Sequence, residues 1–158
     1  MGELRDLLSG LGYEDVRTLL LSGNVVLTSS KKPAGVAREL EKAIAAEFGV
    51  ESKVVVRSRD ELADVVARNP FAKVAKDPKR FQVSFLSAAP KAAVVEELSA
   101  VDVSPERVEF SGREIYAWHP DGIQRSPLVK LIGDKRLGVT ATARNWNTVT
   151  KLLALADE

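Results

Sequence analysis

The chain has 158 residues, 45% hydrophobic and 28% charged, the composition of a soluble globular protein with one domain or two small ones. It has no cysteine and one histidine, which excludes disulfides, thiol catalysis and metal sites built from thiolates or several histidines. Its 23 basic and 22 acidic residues argue against a general polyanion binder. With no bilayer-spanning apolar run and no signal peptide, we expect a cytoplasmic protein with no membrane partner.

The first third of the chain predicts a helix, a β-hairpin, a second helix and a short strand. Four leucines recur at helical spacing within the first 12 residues. Two β-prone runs, 16–21 and 25–29, flank a turn at 22–24. The next apolar stripe ends at Gly49, a residue type that often terminates helices. Residues 54–56 predict a strand.

A capping box then begins a third helix. Ser58 and Glu61 have the spacing at which each side chain bonds the other residue's backbone N–H. The helix they begin should end near Asn69-Pro70, and residues 73–80, with alternating charge and a proline, predict a linker.

The second half predicts a similar order of elements. In sequence these are a half-buried strand (81–85), a helix after Pro90, a hairpin (107–110 and 114–118), a helix from Ser126-Pro127 to Gly138, and a strand (139–143). The segment from Thr142 onward reads as a closing helix with a polar, basic start. Its apolar stripe is Trp146, Val149 and Leu153.

These elements predict an α+β fold of two ferredoxin-like βαββαβ repeats plus a C-terminal helix, the first repeat lacking its opening strand. We therefore assign residues 1–57 to a truncated first repeat, 58–80 to a connecting helix and linker, and 81–158 to the second repeat with the C-terminal helix. The absent strand would expose a sheet edge. Either the native product starts upstream of Met1, or a shifted strand or partner chain fills the gap, which predicts a possible homo-oligomer.

Several segments resemble one bacterial family, domain of unknown function 1697. They are Asp15-Val-Arg-Thr18, Ser22-Gly-Asn-Val-Val26, Asn69-Pro-Phe71 and Arg144-Asn-Trp-Asn-Thr-Val-Thr-Lys-Leu152. The resemblance implies two related α+β repeats and no established activity. Family members usually open with a strand that is absent here. Where the family pattern has Gly-Ile-Gly-Arg-Ser-Lys-Leu, residues 122–128 read Gly-Ile-Gln-Arg-Ser-Pro-Leu, so one lysine is lost.

The sharpest functional pattern is a candidate site for a small anionic molecule at two helix starts of the second repeat. Helix starts offer unpaired N–H groups, and arginine binds phosphate or carboxylate in a bidentate manner. The candidate residues are Arg125, Ser126, Arg144, Asn145, Asn147 and Lys151. In the structural alternative, Asn145 caps the last helix, the arginines pair with carboxylates and Lys151 is solvated. The sequence assigns no catalytic residue, cofactor or metal.

Three other patterns have a functional and a structural interpretation. Trp146 suits base stacking or core packing, and its place in the apolar stripe favours the core. Tyr116 and Trp118 share one strand face, as in RNA readers, but burial is favoured. His119 beside Asp121 suits a general base, yet a turn after a strand explains both more simply. Three function classes remain open: an anion-binding or enzymatic domain, a non-catalytic interaction domain, and nucleic-acid binding, which the net charge disfavours.

Overall fold

The computed structural model describes residues 2–19 and 23–157 and has an α+β fold. Those residues form seven helices and two antiparallel sheets, one of two strands and one of four. The chain divides into two compact units, Met1–Leu62 with Lys151–Glu158, and Ala63–Thr150. These bounds divide the chain into its two most compact parts. The predicted division at residues 57 and 80 follows the proposed repeats and stays a prediction.

The first unit contains two complete helices and a two-stranded sheet, together with the first turn of a third helix and the second half of the last helix. Its complete elements are α1 (Gly2–Gly10), β1 (Glu14–Leu19), β2 (Asn24–Thr28) and α2 (Pro33–Phe48). The predicted helices and the paired strands are confirmed, while residues 20–22 of the predicted hairpin lie outside the described residues. Gly49 ends α2 in the left-handed conformation, with φ of 65°.

Helices and sheet of the first unit bury one apolar cluster. Its buried members are Leu8, Tyr13, Val36 and Leu40, and the partly buried residues packed on them include Val16, Val25, Leu27, Val54 and Val56. The alternating residues of β2 therefore point their apolar side chains to one side. Burial of this area from water is the main favourable contribution to the folding of this unit.

The strand predicted at residues 54–56 is wrong. Residues 51–58 form no ladder with another strand in the described part of the chain. The Val54 N–H instead donates to Glu41 Oε1 at 3.1 Å, while Val54 and Val56 pack on the apolar cluster. The alternating valines thus indicated buried side chains. Burial alone does not give a segment the hydrogen-bonding neighbour that a strand needs.

The capping box at the start of α3 (Arg59–Ala67) is confirmed. The Ser58 N–H donates to Glu61 Oε1 at 2.8 Å, and the Glu61 N–H donates to Ser58 Oγ at 3.1 Å. Each side chain therefore satisfies a backbone donor that the first turn of a helix leaves unpaired.

The second unit is organised around a four-stranded antiparallel sheet of order β4-β5-β3-β6. Its elements are β3 (Phe81–Leu86), α4 (Ala92–Ser99), β4 (Arg107–Ser111), β5 (Glu114–Trp118), α5 (Pro127–Leu131), α6 (Asp134–Leu137) and β6 (Ala141–Asn145), after which α7 (Trp146–Ala156) begins. The central strand β3 pairs Val83 with Tyr116 on one side and with Arg144 on the other.

The strand predicted at residues 81–85 is confirmed as β3, but both faces of the sheet are covered, so the prediction that this strand is half-buried is wrong. On one face Leu86 and Ile115, both 0% exposed, pack in a cluster with Leu128 of α5. On the other face Phe81 stacks on Trp146, with ring centroids 4.9 Å apart. The fully buried Tyr116 lies on the same face. Trp146 is half-buried, and its contact with the buried Phe81 supports the packing interpretation of this residue.

Two boundaries in the last third differ from prediction. The single helix expected from Ser126 to Gly138 is two short helices, because Gly133 has extended backbone (ψ 165°) and precedes α6. Glycine disfavours the helix interior by about 1 kcal/mol, which makes such a break inexpensive. Arg144 and Asn145 belong to strand β6, and the last helix begins only at Trp146.

Candidate functional site

The most polar buried group in the second unit, here called the Glu106 cluster, consists of Glu106, His119 and Ser126 with the backbone N–H of Leu128. Glu106 directly precedes β4, His119 directly follows β5, and Ser126 is the N-cap of α5. Because β4 and β5 are antiparallel neighbours, the start of one lies beside the end of the other. Sheet pairing thus places Glu106 beside His119, and the start of α5 contacts the same carboxylate through Ser126 and the Leu128 N–H.

One carboxylate lies at the centre of the Glu106 cluster and accepts from three donors. Glu106 Oε2 lies 2.6 Å from His119 Nδ1 and also accepts from the Ser126 hydroxyl. Glu106 Oε1 accepts from the Leu128 N–H at 3.2 Å. Burial is nearly complete, since His119 is 0% exposed and Glu106 is 8% exposed. A buried carboxylate requires such partners, because an unpaired one would cost several kcal/mol.

These bonds also fix the protonation of the cluster. Burial raises the pKa of Glu106, but hydrogen bonds from Ser126, His119 and the Leu128 N–H outweigh it and hold that pKa below its usual range. With Glu106 ionised, two acceptors cannot face each other at 2.6 Å, so His119 Nδ1 carries a proton.

His119 Nδ1 is therefore not a base for Ser126. The Ser126 hydroxyl lies 3.0 Å from His119 Nδ1, but that nitrogen has no lone pair free to take a proton. The other ring nitrogen, His119 Nε2, is buried and has no hydrogen-bond partner in the described part of the chain. The arrangement is a hydrogen-bond network centred on the Glu106 carboxylate.

The start of α5 is already occupied by the chain's own acceptors. Pro127 has no N–H, the Leu128 N–H bonds Glu106, and the Val129 N–H bonds Ser126 Oγ at 3.1 Å. The carboxylate of Glu106 thus takes the position in which a helix start favours an anion.

At the start of α7, the predicted capping alternative for Asn145 describes the geometry. Asn145 Oδ1 accepts from the Thr148 N–H at 3.0 Å, and the Trp146 N–H donates to the Pro78 carbonyl at 3.2 Å. Two of the first backbone donors of this helix are therefore satisfied within the chain.

A small cavity of about 60 Å³ lies beside the Glu106 cluster. Arg125 and Ser126 line it together with the carboxylate residues Glu106 and Asp121. The side chain of Arg125 is exposed and makes no salt bridge within residues 2–19 and 23–157. One cation thus faces two acidic side chains, which weakens the attraction of the cavity for an anion.

The other four candidate residues do not line this cavity. Arg144 is half-buried in β6, its Nη1 donates to the Ala143 carbonyl at 2.8 Å, and burial lowers the pKa of Arg144. Asn145 and Asn147 lie at the start of α7, and the exposed Lys151 belongs to the first unit. The cavity brings together Arg125 and Ser126 of the six predicted residues.

Comparison with known proteins bears on the whole chain. A family model described as a protein of unknown function, DUF1697, matches residues 1–116. The chain belongs to the DUF1697 family. A solved structure of a conserved bacterial protein from Streptococcus pneumoniae is similar at 21% identity and a TM-score of 0.78, covering 100% of this chain and 89% of the other. That likeness shows the fold alone. No curated protein matches.

The match ends before residues 144–152, which carried part of the sequence resemblance, and before residues 122–128, where the chain departs from the family pattern. For this DUF1697 member, those segments are explained by their contacts: Ser126 caps α5 and Asn145 caps α7. Within the described residues, no three acidic or histidine side chains are grouped as a metal ion would need. None of the described helices is long and apolar enough to cross a membrane.

Sequence reasoning missed Glu106 and gave His119 the wrong neighbour. Asp121 is exposed, and the partner of His119 is Glu106, 13 residues earlier. The local signal in this region, Ser126-Pro127, identified the helix cap. No local pattern points from that cap to Glu106, because their contact is set by the pairing of β4 with β5.

Proposed function

We propose that this DUF1697 member is a non-catalytic interaction domain that pairs with a second copy of itself through the outer edge of β2. The observation that supports the proposal is the two-stranded sheet of the first unit: in the described residues, β2 is hydrogen-bonded to β1 and to no other strand. The unpaired N–H and C=O groups of such an edge are a template for another strand.

The second unit supports this interpretation by comparison. Its antiparallel order β4-β5-β3-β6, with α4 after β3 and α5 and α6 after β5, is the arrangement we propose to be a ferredoxin-like βαββαβ repeat. The order α1-β1-β2-α2 of the first unit matches α4-β4-β5-α5 of the second. On this basis β2 corresponds to β5, and β5 has a strand on both sides.

The side chains of β2 suit an edge that gains a neighbour. Val25 and Leu27 pack on the apolar cluster, and Val26 points to the opposite side of the strand. An added strand would give the backbone groups at this edge hydrogen-bond partners and would extend the two-stranded sheet.

The cavity and the Glu106 cluster favour this function over small-molecule chemistry. Ligand sites usually have volumes of about 300–1,000 Å³, and this cavity has about 60 Å³. The buried donors of the cluster bind its own carboxylate. The charged side chains that line the cavity and are exposed are those of Asp121 and Arg125.

Sedimentation equilibrium over a range of protein concentrations tests the proposal. Val26→Lys places a charge on the edge strand while leaving Val25 and Leu27 in the core, and lysine is a residue that blocks edge pairing. Ala46→Lys on the exposed side of α2 is the control with the same charge change. We expect a dimer for the wild type and the control and a monomer for Val26→Lys. A wild type that stays monomeric at every concentration refutes the proposal.

Anion binding is the second candidate, and the exposed Arg125 beside the cavity is what favours it. Thermal unfolding with inorganic phosphate tests it. Stabilisation of the wild type that is lost in Arg125→Ala would favour an anion site at Arg125 and Ser126. The same experiment with Arg144→Ala and Lys151→Ala tests the remaining part of the predicted site, which includes Asn145 and Asn147.

A further inference from the structure

We propose that the side chains of Asp134 and Arg144 close the outer edge of β6 against strand pairing with a second chain. The inference rests on the proposed function in one respect: a closed β6 does not compete with β2 for the strand of a second copy. The closed edge itself belongs to the second unit, so it can be tested whether or not β2 pairs.

β6 is an edge strand whose outward backbone groups follow from its register. In the described residues it is hydrogen-bonded to β3 and to no other strand. The Ser87 N–H donates to the Thr140 carbonyl at 2.9 Å, just before β6 begins. Because bonded and non-bonded pairs alternate in an antiparallel ladder, every second residue after Thr140 bonds β3 through its backbone. The N–H and C=O groups of Ala141 and Ala143 therefore point away from β3.

Two charged side chains of the second unit bind these outward groups. The Ala141 N–H donates to Asp134 Oδ1 at 3.2 Å, and Arg144 Nη1 donates to the Ala143 carbonyl at 2.8 Å. Ala143 is exposed, so this part of the edge faces solvent. A strand added here would have to displace a charged hydrogen-bond partner at both positions, and charged partners make the stronger hydrogen bonds.

β2, the edge proposed to pair, has no such side chains at its centre. Val25, Val26 and Leu27 are apolar, so they cannot hydrogen-bond the backbone of their own strand. Charged side chains on an edge strand disfavour pairing, and β6 carries Arg144 whereas β2 carries none. A second chain would therefore meet backbone groups that are already bonded at β6 and apolar side chains at β2.

Opening β6 in a protein whose β2 edge is blocked tests the proposal. Asp134→Ala and Arg144→Ala, combined in the Val26→Lys background, remove both side-chain bonds and leave the backbone of β6 able to pair. We expect sedimentation equilibrium to give a monomer for Val26→Lys alone and a dimer for the combined variant. A combined variant that folds and stays monomeric at every concentration overturns the proposal. Failure of pairing through β2 is seen separately, as a monomeric wild type.

Glu97→Ala with Arg136→Ala, in the same Val26→Lys background, is the matched control. These exposed residues form an ion pair between α4 and α6, with Arg136 Nη2 3.8 Å from Glu97 Oε1. Their replacement also removes one acidic residue and one arginine but leaves β6 unchanged. The control should stay monomeric. A control that associates as strongly as the combined variant would assign the effect to the lost charges and overturn the proposal.

The single variant Asp134→Ala covers the case in which the combined variant does not fold. The bond to Asp134 should slow amide hydrogen exchange at Ala141 in the wild type, since a bonded amide exchanges only when its bond opens. Asp134→Ala should make exchange at Ala141 faster while exchange at the buried central strand β3 stays unchanged. An Ala141 amide that exchanges equally fast in both proteins shows that Asp134 does not hold this edge, and so overturns the proposal.

Discussion

Replacing Glu106 by glutamine tests the structural role of the Glu106 cluster most directly. Glutamine keeps the shape of the side chain but exchanges one carboxylate oxygen for an NH₂ group, which donates and cannot accept. The carboxylate serves donors on both oxygens, His119 and Ser126 on Oε2 and the Leu128 N–H on Oε1. The amide oxygen can replace one of these positions, and the NH₂ group then faces a donor at the other.

The expected loss follows from those contacts. In the better orientation the amide oxygen keeps His119 and Ser126, and the Leu128 N–H becomes a buried donor without a partner, which costs about 1–3 kcal/mol. The two retained bonds lose the contribution of the charge, which roughly halves their strength. The side chain of Glu106 is 6% exposed, so water compensates little. We expect Glu106→Gln to lower the free energy of unfolding by about 2–4 kcal/mol.

Urea unfolding at neutral pH, followed by circular dichroism, measures this free energy. Glu109→Gln makes the same chemical change at an exposed position of β4 and should alter stability by less than about 0.5 kcal/mol. A Glu106→Gln variant as stable as Glu109→Gln would refute the reasoning, since it would mean that the buried donors do not need the carboxylate.

Three further predictions concern the second unit. The pKa of Glu106 is lowered in the folded state, so its contribution to stability is present above the unfolded value of about 4.3 and is lost as pH falls through the folded pKa. The difference in unfolding free energy between the wild type and Glu106→Gln should therefore be constant near neutrality and shrink in acid. Trp146→Ala removes the ring stacked on Phe81 and should cost about 3 kcal/mol in urea unfolding, with Trp146→Phe losing less; equal losses would contradict the stacking argument. Tyr116→Phe removes the hydroxyl that donates to the Val65 carbonyl at 2.6 Å and should cost about 1–2 kcal/mol, with faster amide exchange at the end of α3; unchanged exchange there would contradict it.

The features of this chain that could be predicted are those set by contacts between residues close together in the sequence. The capping box at Ser58 and Glu61 joins residues three apart, and the terminating role of Gly49 depends on its own backbone conformation. Both were predictable because the partner or the cause lies within one helical turn. The absence of a ladder at 51–58, in the described part of the chain, was not predictable, since a strand needs a hydrogen-bonding neighbour from elsewhere in the sequence.

The amino-acid sequence by itself determined the order of most helices and strands, the helix cap at Ser126, and a packing role for Trp146. Periodicity and capping residues reflect local preferences, so they can be recognised in the sequence before the fold is known. Only the tertiary structure decided what the helix starts bind. Glu106 reaches Leu128 across 22 residues because β4 and β5 pair, and it takes the position that the sequence left open for an external anion.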